Sequence, residues 1–124
     1  MLVDDDEFVR GALTRALNRT GAFSVIPAEQ GQHALELLAS ERIDAMLTDL
    51  QMPVMDGLTL LGHLFERGLR VPVAVMITLG KQYHVICFLG APQDSLLYLV
   101  LAREHANLGM ARHQLAKIAR RITL

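Results

Sequence analysis

Apolar positions recur along this chain in two rhythms, one suited to strands and one to helices. Met1, Leu2 and Val3 run directly into Asp4, Asp5, Asp6 and Glu7. This reads as the end of a buried strand followed by an acidic turn. From residue 6 to 18, Val9, Ala12, Leu13, Ala16 and Leu17 keep helical spacing, and Thr20 and Gly21 close that helix. Residues 23–26 form a second predicted strand, ended by Pro27. A second helix is predicted over 31–40, with Ala34, Leu35, Leu37 and Leu38 on its buried side. Residues 45–48 read as a third strand that stops at Asp49, and the loop 50–57 follows. A third helix covers 58–66, with Leu58, Leu61, Leu64 and Phe65 turned inward, and Gly68 stops it. Residues 71–78 are apolar throughout, as in a strand covered on both faces.

The order to this point is βαβαβαβ. Strands and helices alternating at these lengths build an α/β fold, a parallel sheet with helices on both faces and right-handed crossovers. The rhythm then changes. Gly80 and Lys81 read as a tight turn, 82–89 as a strand, 90–94 as a turn and 95–102 as a further strand. Two strands joined so closely make an antiparallel hairpin, so the sheet is expected to be mixed. Over 106–122, Leu108, Ala111, Leu115, Ile118 and Ile122 step along one face of a final amphipathic helix.

Composition narrows the class. The 124 residues are 52% hydrophobic and 20% charged, which excludes a disordered chain and fits one domain. The longest purely apolar run, 96–102, is far short of the ~20 residues that span a bilayer. The chain opens on acid rather than base, unlike a signal peptide, so a cytoplasmic location is expected. Cys87, the single cysteine, lies in an apolar run and reads as a small core residue. The five histidines have no metal-ligand spacing, and Met52 and Met55 read as core plugs. The formal net charge of −1 gives no general pull toward nucleic acid or membrane. It hides an imbalance: residues 1–70 carry six arginines against eleven acids, and residues 71–124 six bases against two acids.

The acids carry the candidate chemistry. Asp4 and Asp5 follow the first strand and Asp49 the third. Ligands of open α/β sheets bind outside the carboxyl ends of the strands, and strands one and three lie side by side in the common order. Three carboxylates gathered there repel, and a hard divalent cation such as Mg²⁺ relieves the repulsion. Mg²⁺ with carboxylates suits phosphoryl chemistry, and a carboxylate can itself be the nucleophile, giving an aspartyl phosphate. Thr78 ends the fourth strand and could aim its hydroxyl at the same group. Taken singly these residues have plainer readings. Asp4 to Asp6 also fit a solvated turn, with Asp6 as helix cap, and Asp49 also fits a loop start.

Residues 2–78 resemble a response-regulator receiver domain. The matching stretches are residues 2–10 around Asp4-Asp5-Asp6, 44–57 with Asp49-Leu50-Gln51-Met52-Pro53-Val54-Met55-Asp56-Gly57, and 71–78 ending at Thr78. The resemblance implies a flavodoxin-like fold with Asp49 as phosphoacceptor. It implies that Asp5, Asp49 and the Gln51 carbonyl bind Mg²⁺ directly, with Asp4 assisting through water. Thr78 becomes the switch hydroxyl, and the phosphodonor the phosphohistidine of a sensor kinase. Such a module is not an enzyme beyond autocatalytic phosphotransfer to, and hydrolysis from, its own aspartate.

After Thr78 the sequence departs from that pattern. Receivers continue with a helix and then a strand ending in Lys-Pro, whose ammonium pairs with the acyl phosphate. No Lys-Pro pair occurs here. Lys81 comes only three residues after Thr78, and Arg103, a guanidinium of different reach, follows the strand 95–102. Residues 77–120 instead resemble the C-terminal half of bacterial roadblock-type domains, which pair as dimers and bind small GTPases. The resemblance rests on 77–86, 96–103 and 106–112. One domain of two ancestries is therefore expected, 1–76 receiver-like and 77–124 roadblock-like, as in a chimera. The expected function is a receiver-like signalling module with output impaired by the lost lysine. The alternative is a pseudo-receiver serving only assembly. The hairpin's free sheet edge also predicts a homodimer.

Overall fold

In the computed structural model, residues 1–89 and 95–102 are described. The predicted turn 90–94, the predicted helix 106–122 and Arg103 lie outside the described residues. Among the described residues, six strands and three helices follow one another as β1 (Leu2–Val3), α1 (Glu7–Asn18), β2 (Pro27–Ala28), α2 (Gly31–Ser40), β3 (Met46–Asp49), α3 (Gly57–Glu66), β4 (Val73–Leu79), β5 (Gln82–Leu89) and β6 (Ser95–Ala102). They form one sheet in the order β2-β1-β3-β4-β5-β6. The first four strands in that order are parallel. β5 and β6 are antiparallel to their neighbours. The expected mixed α/β sheet is therefore present, with β1 beside β3.

Strand alternation sends side chains to two separate cores. On one face, Val3, Met46, Val73 and Val75 pack with Ala34 and Leu35 of α2 and Leu60 and Leu64 of α3. On the other, Leu2, Met76 and Val85 pack with Leu13 of α1, joined by Val9, Leu47 and Cys87. Helices thus cover both faces of the parallel part.

Local chemistry explains where the elements start. The Asp6 carboxylate accepts from the N–H groups of Phe8 and Val9 at 2.9 and 3.0 Å, which caps α1. The Asp56 carboxylate accepts from the Thr59 N–H at 2.7 Å and caps α3.

Two expectations need correction. The second strand is Pro27–Ala28, not 23–26. β1 reaches it through Leu2 N–H to the Ile26 carbonyl at 3.0 Å and Asp4 N–H to the Ala28 carbonyl at 3.1 Å. Proline is tolerated there because β2 is the sheet edge, where a missing N–H costs nothing. Residues 23–26 precede the strand, with the Val25 N–H held by the Asn18 side chain at 3.0 Å. In α3, Leu58 and Phe65 face out, at 57% and 86% exposure. The buried stripe runs instead through Gly57, Leu60 and Leu64, with Leu61 beside it. Nearly every position of this helix is apolar, so periodicity alone picks no face.

Candidate functional site

Parallel strands all end on one edge of the sheet, and three acidic residues meet there. β1 ends at Val3, which pairs with Thr48, so Asp4 stands level with Asp49. Asp4, Asp5 and Asp49 each present a carboxylate oxygen, and the three atoms lie within 4.8 Å of one another. Asp4 is buried, Asp49 half-buried and Asp5 exposed. The pocket therefore has a floor and an open mouth.

Burial pushes the Asp4 carboxyl up to about 6. The Asp6 N–H donates to Asp4 Oδ1 at 2.9 Å and partly offsets this, while the charges of Asp49, Asp5 and Asp6 add to it. Burial raises the Asp49 carboxyl as well. There the Leu50 and Gln51 N–H groups oppose the rise and the Asp5 charge adds to it. A nearby cation favours the charged form of carboxylates that burial and mutual charge hold up. Three hard oxygen donors at this spacing fit a divalent ion of the Mg²⁺ kind.

The loop after β3 is fixed by close approach. Gly57 N–H donates to the Leu50 carbonyl at 2.9 Å. A Cβ on Gly57 would stand 2.4 Å from the Asp49 carbonyl oxygen, so only glycine lets α3 start so near the pocket. At the far end of the loop, Met55 fills the space where a Cβ on Gly31 would sit, 2.6 Å from its Sδ. Met52 is buried in the core and Met55 packs against it, as core plugs should. Between them, Val54 is fully exposed at a φ of 67°, in the left-handed region that a β-branched residue rarely adopts.

β4 carries the remaining candidate. Met76 is the register partner of Asp49, and Thr78 lies two residues further along, roughly 6.6 Å beyond it. Alternation puts Thr78 on the same face as Met76, the α1 face. Thr78 is exposed and pairs with Tyr83.

Of the two candidate cations, Lys81 alone lies within the described residues. Lys81 sits in the turn joining β4 to β5, at the pocket edge of the sheet. Sequence reasoning gave no role to Arg10, whose Nη1 donates to the Asp4 carbonyl at 2.7 Å. The available signal was its place one turn after the cap, too common to single it out.

Elsewhere, Cys87 is half-buried and burial raises its thiol, in keeping with an inert packing residue. His84 Nδ1 is hydrogen-bonded to the Tyr98 hydroxyl, and its Nε2 lies 3.2 Å from the Gln82 Oε1. Among the described residues no helix is long and apolar enough to cross a membrane.

Comparison with known proteins agrees with this geometry. The profile of the response regulator receiver domain matches residues 1–91, past Thr78 and through β5. The response regulator MprA of Mycolicibacterium vanbaalenii is 37% identical over 97 residues, 78% of this chain and 42% of its own. A protein-glutamate methylesterase/protein-glutamine glutaminase of Rhodospirillum centenum is 38% identical over 80 residues, 64% of this chain and 20% of its own. The chain spans less than half the length of these curated relatives. Among solved structures, FixJ-N is 32% identical with a TM-score of 0.57, covering 61% of this chain and 60% of that one. The signal receiver domain of a signal transduction histidine kinase from Syntrophus aciditrophicus is 28% identical with a TM-score of 0.58, covering 64% and 61%. The roadblock-like and chimeric reading of residues 77–124 gains no support from these comparisons. With the acidic edge, the Asp49 loop and the sheet order in place, the chain belongs to the response regulator receiver domain family.

Proposed function

We propose that this chain is a Mg²⁺-dependent phosphoacceptor of two-component signalling, modified on Asp49 by a sensor histidine kinase. The observation that carries the reading is the meeting of the Asp4, Asp5 and Asp49 carboxylates within 4.8 Å at one sheet edge. Asp5, Asp49 and the Gln51 carbonyl would hold the ion, with Asp4 acting through water. Bound there, the ion would neutralise phosphoryl oxygens as charge moves between donor and acceptor. The Asp49 carboxylate oxygen attacks the phosphorus, the P–N bond to the donor imidazole breaks, and that bond's electron pair leaves on the imidazole. The product is an acyl phosphate. Thr78, two residues beyond the register partner of Asp49, would donate its hydroxyl to a phosphoryl oxygen. The chain acts on no separate substrate in this reading, so it is a switch and not an enzyme.

The reporting step is altered. A tight turn and an antiparallel strand follow β4, where the family pattern expects a helix and a lysine-terminated strand. Phosphorylation is therefore expected to proceed while its readout is weakened. Treatment with acetyl phosphate and Mg²⁺ should add one phosphoryl group by mass spectrometry, and Asp49→Asn should abolish the adduct. An unmodified wild-type chain under these conditions sinks the reading.

Assembly through the hairpin is a second reading, favoured by one observation. Among the described residues β6 is the outermost strand, with Tyr98 and Val100 at 54% and 43% exposure. A second copy pairing there would be seen by sedimentation as a concentration-dependent dimer, and a monomer at high concentration refutes it.

A further inference from the structure

The chain turns from β1 into α1 within three residues, and that turn carries two of the three pocket carboxylates. Asp4 N–H makes a bond to the Ala28 carbonyl at 3.1 Å, and the Asp6 carboxylate caps α1. Between them the Asp4 carboxylate takes the Asp6 N–H at 2.9 Å. The Asp4 carbonyl is claimed by Arg10, whose backbone is locked into the first turn of α1 by its N–H bond to the Asp6 carbonyl at 2.8 Å. Three carboxylates lie near, yet Arg10 forms no ion pair with them among the described residues. Its guanidinium is spent on the backbone.

We propose that Arg10 is a positioning residue of the acidic pocket: by holding the Asp4 carbonyl it fixes the Asp4–Asp5 peptide so that both carboxylates converge on Asp49. This rests on the reading of the pocket as a divalent-cation site. The physical basis is that Mg²⁺ demands near-ideal octahedral geometry, so ligand orientation converts directly into affinity. Groups that orient ligands typically matter by 10- to 100-fold in metal affinity. A charge-assisted bond to a carbonyl is strong enough to hold one peptide orientation.

The test is calorimetric titration of the full chain with MgCl₂, alongside thermal unfolding without metal. Arg10→Met keeps the aliphatic stem and removes every donor. It should bind Mg²⁺ about tenfold more weakly than wild type. Arg10→Lys keeps one donor and the charge without the planar fork, and should recover part of that loss. A folded Arg10→Met variant with wild-type affinity overturns the proposal, because a merely structural role lowers only the unfolding temperature. Tighter binding also overturns it, since it would mean that the arginine acts by charge repulsion against the ion. Should Arg10→Met fail to fold, Arg10→Lys decides: an affinity equal to wild type refutes the role of the fork, and a reduced affinity supports it. A wild-type chain that takes up no Mg²⁺ overturns the pocket reading itself, a failure distinct from that of Arg10.

Discussion

The two halves of this sheet are built from the same backbone ladder and do different work. In the β2-β1-β3-β4 half, each strand is joined to the next along the chain through a helix. Crossovers return each strand to the same end, so all carboxyl termini share one edge and helices close both faces. In the β4-β5-β6 half, β4 is linked to β5 by a tight turn and no helix intervenes. Its strands alternate in direction, and Leu79, Tyr98 and Val100 remain between 43% and 54% exposed. Chemistry gathers where connections are long and parallel. A short connection extends the sheet cheaply but brings no helix onto its faces between the two strands it joins.

The sharpest way to break this contrast is to truncate one apolar residue in each half. Leu60 is fully buried under the parallel strands, and Leu60→Ala should cost about 3 kcal/mol in denaturant unfolding. Val100→Ala, half-exposed on the hairpin, should cost less than about 1 kcal/mol. Equal losses would mean that both halves are packed alike.

Gly57→Ala tests whether the pocket edge has slack. The new Cβ meets backbone at 2.4 Å, which cannot move aside as a side chain would. About 1–3 kcal/mol of stability should be lost, together with Mg²⁺ affinity. Unchanged metal binding would show that the Asp49 carbonyl is free to shift. Val54→Gly points the other way. It relieves the left-handed conformation of a β-branched residue and should raise stability by about 1 kcal/mol, less the entropy of glycine in the unfolded chain.

The smallest expected effect is a pH dependence confined to the acidic edge. With Asp4 raised to about 6 in the fold, its stabilising contribution is present at low pH and is lost as pH rises through 6. The metal-free protein should therefore melt higher at pH 5 than at pH 7 on account of this group. Asp4→Asn should narrow that difference, and Mg²⁺ uptake by the wild type should weaken on acidification below about 6. A difference of equal size in Asp4→Asn would assign it to other groups.

The same contrast governs how much could be read from sequence. Asp4, Asp5 and Asp49 were legible because each interrupts an apolar strand with charge, and strand ends of a parallel sheet converge by topology. The boundaries of β5 and β6 were legible from the turn residues that flank them. Phe65 and Leu58 were misassigned because an almost wholly apolar helix carries no information about which stripe faces in. β2 was displaced because its hydrogen bonds come from Ile26 and Ala28 carbonyls, which proline leaves intact. Arg10 was invisible for another reason: its partner is a backbone carbonyl, and no residue type advertises that.

Gly31 and Met55 belong to different elements but occupy one shared volume. Any side chain gained at position 31 has to be given up at position 55. A lesion mapped to α2 would thus be felt in the loop that follows β3, through the Met55 side chain. Its natural suppressor would be a smaller residue at position 55.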